Sequence, residues 1–286
     1  MTFQLDPNMT LGYTQLRVLD LEKQTAFYKN LGFQVLTASS TEVVFGAGSE
    51  EAVLVLTKED GTTPRPPRTT GLFHFAILVP SREDLAYVIG NLAERGVAFS
   101  GAGDHLYSEA FYLTDPEGNG IEIYQDRPKS EWTILENGMI ETDTLPVDVQ
   151  GVLALFNRER QWTGFPKGTI LGHMHLNVSV LDDSLRHFYF DVLGMDLKTN
   201  FHNSAYFVSA GGYHHHIALN VWMGVGAPNP PANSSGLIGF SLNLSSRDKL
   251  DELRQHFIKE KVSFIDEQEK LIVKDVNQHD MIFVAH

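Results

Sequence analysis

The chain repeats itself, and the repeat limits its folding more than any single motif does. Residues 11–36 read LGYTQLRVLDLEKQTAFYKNLGFQVL, and residues 171–197 read LGHMHLNVSVLDDSLRHFYFDVLGMDL. Each has an alternating strand, an acidic helix start, a Phe-Tyr pair and a closing Leu-Gly, so the two halves of the chain are copies. A second, weaker copy opens inside each half, GLFHFAILVPSREDLAYVIGNLAERGVAF from residue 71 and GLIGFSLNLSSRDKLDELRQHFIKEKVSF from residue 236. After each helix come short apolar runs such as EVVFGA, AVLVLT, EAFYLTD, GIEIYQD, AYFVSA and IALNVW, separated by Gly, Asp and Asn turns. Four βαβββ units follow, an α+β fold. Proline-rich segments join units one and two (GTTPRPPRTTG, 61–71) and units three and four (GAPNPPANSSG, 226–236). Residues 127–168 lack the pattern and form a connector, with one short helix expected near Val149–Phe156. The chain thus divides into an N-terminal domain over 9–126 and a C-terminal domain over 169–286.

Composition narrows the chemistry. Of the 286 residues none is cysteine, which removes disulfides and thiolate metal sites and leaves any metal to His and carboxylate. A net charge of −14 without a Lys/Arg cluster argues against a nucleic-acid or anionic-membrane partner and points to small molecules. The opening MTFQLDPNMT has no basic-then-apolar pattern and no apolar run reaches membrane-spanning length, so a cytoplasmic protein is expected. A homo-oligomer is left open.

Three histidines sit together in GYHHHIALN, residues 212–220. If they begin a strand, alternation puts His214 and His216 on one face and His215 on the other. Elsewhere Glu122 lies between isoleucines in GIEIYQD, either a solvent-facing carboxylate or a ligand. His74 in LFHFAILV is either a satisfied core histidine or a ligand. His173 and His175 share a face of LGHMHLNV about 7 Å apart, too far for both to serve one metal readily.

With DPEGNGIEIY, GLFHFAILVP and GGYHHHIALN in place, the chain resembles the vicinal oxygen chelate superfamily (glyoxalase, bleomycin resistance and extradiol dioxygenase proteins). Within it, the likeness is to Bacillus-type catechol 2,3-dioxygenases, over nearly the whole chain. The resemblance implies tandem domains of paired βαβββ units, curled into half-barrels around a metal cavity. Its ligand positions fall on His74, Glu122 and His173. Unit one has Tyr13 at the matching place and unit four has Gly239 and no carboxylate. A full triad therefore requires unit two to pair with unit three, an exchange from the pairing usual in the family. The alternative pairs units one and two and leaves His173 spare.

The same resemblance implies Fe(II), with Mn(II) able to use the same ligands, and a reaction of an aromatic diol with O2. It places His215 as the acid–base residue, Tyr112 as a substrate hydrogen-bond partner and His105 as a histidine near bound oxygen. Imidazole suits proton transfer near neutrality. Two other readings are a glyoxalase-like metal-dependent isomerase or lyase, and a metal-free small-molecule binding protein of the same fold.

Overall fold

The computed structural model describes residues 3–286. Unit one comprises β1 (Thr10–Arg17), α1 (Leu21–Leu31), β2 (Gln34–Ala38), β3 (Glu42–Gly46) and β4 (Ala52–Thr57). Unit two comprises β5 (Gly71–Leu78), α2 (Arg82–Glu94), β6 (Gly101–Asp104), β7 (Ser108–Thr114) and β8 (Gly120–Asp126). The connector carries a short 3-10 turn (Lys129–Glu131) and α3 (Val149–Ala154). Unit three has β9 (Ile170–Asn177), α4 (Asp183–Arg186), β10 (Asp196–Phe201), β11 (Ala205–Ser209) and β12 (Ile217–Asn220). Unit four has β13 (Gly236–Leu244), α5 (Arg247–Lys259), β14 (Phe264–Asp266), β15 (Lys270–Lys274) and β16 (Asp280–Ala285).

Side chains start the helices where the sequence offers a cap. Asp20, Ser81, Asp182 and Ser246 each accept a hydrogen bond from a backbone N–H three residues on, which satisfies one of the donors that a helix start leaves free. Gly32 ends α1 in the left-handed region at φ 101°, where a side chain would be strained. Unit three departs from the expected single helix. After one turn, α4 continues as a π-helical segment, His187–Val192, which still buries Phe188, Tyr189 and Val192.

Every unit closes by pairing its last strand parallel to its first: β1 with β4, β5 with β8, β9 with β12, and β13 with β16. Two eight-stranded sheets result, ordered β14-β15-β16-β13-β1-β4-β3-β2 and β10-β11-β12-β9-β5-β8-β7-β6. Units one and four share the first, joined by antiparallel β1 and β13; units two and three share the second, joined by antiparallel β5 and β9. The exchanged pairing inferred from the ligand positions is therefore the observed topology. Each half of the sequence contributes one unit to each sheet.

In the second sheet, alternation sorts the side chains. Phe75 and Ile77 of β5, Ile121 and Ile123 of β8, and Met174 and Leu176 of β9 enter the main apolar core. Residues of opposite parity, His74, Glu122, His173 and His175, line a cavity on the other face. Among the described residues, no helix is long and apolar enough to cross a membrane.

Candidate metal centre

The register assembles the three ligand candidates. Ala76 of β5 pairs with His173 of β9 on one side and Glu122 of β8 on the other, while His74 lies two residues earlier on the same face. A methyl group at the centre leaves room where a larger side chain would fill the space between the ligands. Glu122 Oε2 stands 2.9 Å from His74 Nε2 and 3.3 Å from His173 Nε2. Among the described residues, these three form the one group of at least three His, Cys, Asp or Glu side chains whose ligand atoms converge, all within 4.8 Å of one another.

The donors fit a divalent metal. Ligands about 2.1 Å from one ion and at right angles stand about 3 Å apart, which matches the two distances to Oε2. His74 Nε2 is close to that oxygen yet makes no aligned hydrogen bond with it, although it is buried. Such an orphan costs free energy unless something else satisfies it. Electrostatics agree. Burial pushes the His173 imidazole below its ordinary value, against the nearby Glu122, and so favours the neutral form that binds metal. Burial alone would raise the Glu122 carboxyl, but His173 and then His74 hold it well below the usual range.

Tyr112 and His105 meet at the same cavity. Tyr112 pairs with Glu122 across β7 and β8, and its hydroxyl is 2.6 Å from His105 Nε2. His105 Nδ1 lies 2.9 Å from the Asp143 carbonyl oxygen. A carbonyl can only accept, so Nδ1 carries a proton, and in the neutral ring Nε2 then accepts from the Tyr112 hydroxyl. Burial first, and then Glu122, raise the Tyr112 phenol well above its ordinary value, so it stays protonated.

His215 also lines the cavity, its ring centroid 4.2 Å from that of His173 and its Nε2 buried without a partner. Burial, reinforced by His173, pushes it well below the ordinary imidazole value and keeps it neutral. The expected strand alternation across the triplet does not hold. β12 starts only at Ile217, so His214, His215 and His216 follow no strand parity. His214 lies beside His215, with its Nδ1 2.7 Å from the His215 Nδ1. His216 turns away and bonds Ser209 Oγ at 2.8 Å.

Several cavity residues were not singled out from sequence. Phe73, Phe207 and Trp222 surround His175, whose ring centroid lies 4.8 Å from that of His74. Thr142 and Thr144 come from the connector. The residues form a pocket of about 270 Å³.

With this geometry in view, comparison with known proteins is decisive. Residues 10–123 and 170–275 match the Glyoxalase/Bleomycin resistance protein/Dioxygenase superfamily. The chain belongs to this superfamily. A catechol-2,3-dioxygenase of Bacillus subtilis (strain 168) is 45% identical over 244 residues, which cover 84% of this chain and 85% of the relative. Among solved structures, a candidate dioxygenase of Bacillus subtilis subsp. subtilis str. 168 superposes with a TM-score of 0.66 at 12% identity, covering 99% of this chain and 86% of the other. Glyoxalase I of Zea mays gives 0.57 at 14% identity, covering 97% and 92%. At such identities these two structures speak for the superfamily fold alone. Within that fold, the His74–Glu122–His173 group is a site that could hold a catalytic metal.

Proposed function

We propose that the protein is an Fe(II)-dependent extradiol dioxygenase that cleaves the ring of a catechol with O2. The observation that carries the reading is His215, which lines the same cavity as His74, Glu122, His173 and Tyr112 and whose Nε2 is buried without a partner. The 45% identity to a protein named catechol-2,3-dioxygenase supports the same class.

His74, Glu122 and His173 would hold the metal on one face and leave coordination positions for other molecules. When bound, Fe(II) supplies a seat for the two vicinal oxygens of the diol and the redox partner that makes O2 reactive toward them. The remaining work falls to the chain. His215 Nε2, neutral and without a partner, takes a hydroxyl proton from the entering diol and later returns it. Because the Tyr112 hydroxyl donates to His105, its oxygen lone pairs are free to accept from the substrate. Phe73, Phe207 and Trp222 wall the ring, and the small volume suits a single aromatic ring with modest substituents.

The test is anaerobic Fe(II) loading followed by catechol and air, with the yellow ring-opened semialdehyde as the readout. Turnover is expected in the wild type. In His215→Ala it should fall by about two to four orders of magnitude with iron retained. An iron-loaded wild type that leaves catechols intact would contradict the reading.

A further inference from the structure

We propose that Asp126 and His214 fix the tautomer of His215, so that Nε2 of this cavity-lining residue is left bare. The proposal rests on the reading of His215 given above and adds two positioning residues to it.

Asp126 ends β8, four residues after Glu122. Its Oδ1 lies 2.9 Å from His214 Nε2, and its Oδ2 accepts from the Tyr213 hydroxyl at 2.9 Å. Tyr213 in turn meets the Tyr124 hydroxyl at 2.8 Å. An ionised carboxylate only accepts, so His214 Nε2 carries a proton. In a neutral His214, Nδ1 is then a lone pair. That lone pair is 2.7 Å from His215 Nδ1, which must therefore be the donor. The remaining nitrogen, Nε2, is left bare and without a partner, on a residue that lines the cavity. Each ring's tautomer is set by the hydrogen bond its other nitrogen makes.

Packing holds the relay in place. His214 is 1% exposed, and its ring lies nearly parallel to Tyr107, at 14° and 4.3 Å between centroids. Tyr213 covers it at 4.0 Å and Trp132 at 5.3 Å. A ring so enclosed cannot swing to let His215 change partner. If the bond were lost, His215 could place its proton on Nε2 instead, pointing a donor where the substrate needs an acceptor.

Two variants separate bonding from packing. His214→Phe keeps the aromatic stack and removes the acceptor. His214→Asn removes the stack and places an amide oxygen near the former Nδ1. With iron content and KM within about twofold of wild type, His214→Phe is expected to lose about 10- to 100-fold in kcat, and His214→Asn to recover most of it. The reverse order, with Phe active and Asn impaired, would mean that His214 serves packing, and would overturn the proposal.

Nitrogen-15 spectra of the full-length protein, histidine-labelled and loaded with diamagnetic Zn(II), give a readout independent of turnover. The expected pattern is Nδ1–H on His215 and Nε2–H on His214, and the His215 assignment should be lost in His214→Phe. Nε2–H on wild-type His215, or an unchanged tautomer in His214→Phe, would overturn the relay. Failure of the wild type to cleave catechols would instead count against the function and leave the spectral result standing.

Discussion

Burial lowers the imidazole of every histidine in the triplet, yet the three rings have different neighbours. His215 lines the cavity, whereas His216 is spent on structure. Burial and the nearby His214 push the His216 imidazole down to about 3. Unfolded, the same ring titrates near 6.5, so below that pH the unfolded chain binds the extra proton and stability falls until about pH 3. His216→Gln cannot take up the proton. Its loss of stability between pH 7 and pH 5, read from urea midpoints, should be smaller than wild type by about 2 kcal/mol. An unchanged difference would show that His216 does not set the acid limit. The triplet also marks where sequence reading stopped. Its content was legible, but alternation presupposed a strand through residues whose backbone does not form one. Asp126 could have been noticed, because it shares parity with Glu122 and Tyr124. Its partner His214 is 88 residues away and visible only in the folded chain.

Strands β5, β8 and β9 act as rulers for the site. Their core-facing residues were readable from alternation, and the ligand positions came from the resemblance to the superfamily. The close approach of β8 to β5 was not readable. A Cβ at Gly120 would sit against the Phe73 carbonyl oxygen and come within 3.0 Å of His74 Cβ. Gly120→Ala should therefore push β8 from β5 and shift His74 away from Glu122. A loss of about 1–3 kcal/mol in stability and about tenfold or more in metal affinity is expected, by denaturant titration and competition with a chelator. Gly212→Ala, in open space, should change stability by less than about 0.5 kcal/mol. Equal effects at the two positions would show that this contact does not hold the site in register.

Across the whole molecule, the two sheets are woven from both halves of the chain. The exchange was legible because units one and four lack ligands at the matching positions: Tyr13 and Gly239 stand where His173 and His74 stand in their counterparts. What the sequence could not supply was the cavity wall, since Thr142 and Thr144 arrive from a connector without periodic pattern. Neither half alone contains all three of His74, Glu122 and His173, the group that could hold the metal. Residues 3–160 or 161–286 expressed separately should bind no stoichiometric metal, and mixing the two halves should restore the site. Full metal binding by the N-terminal piece alone would contradict the exchange. The most direct test is the iron content of anaerobically loaded protein, measured for the wild type and for His74→Ala, Glu122→Ala and His173→Ala. About one Fe(II) per chain is predicted for the wild type and less than about a tenth of that for each variant, because loss of one of only three protein ligands leaves too few to hold the ion. A His173→Ala protein that keeps its full complement of iron would contradict a metal centre shared between the two halves.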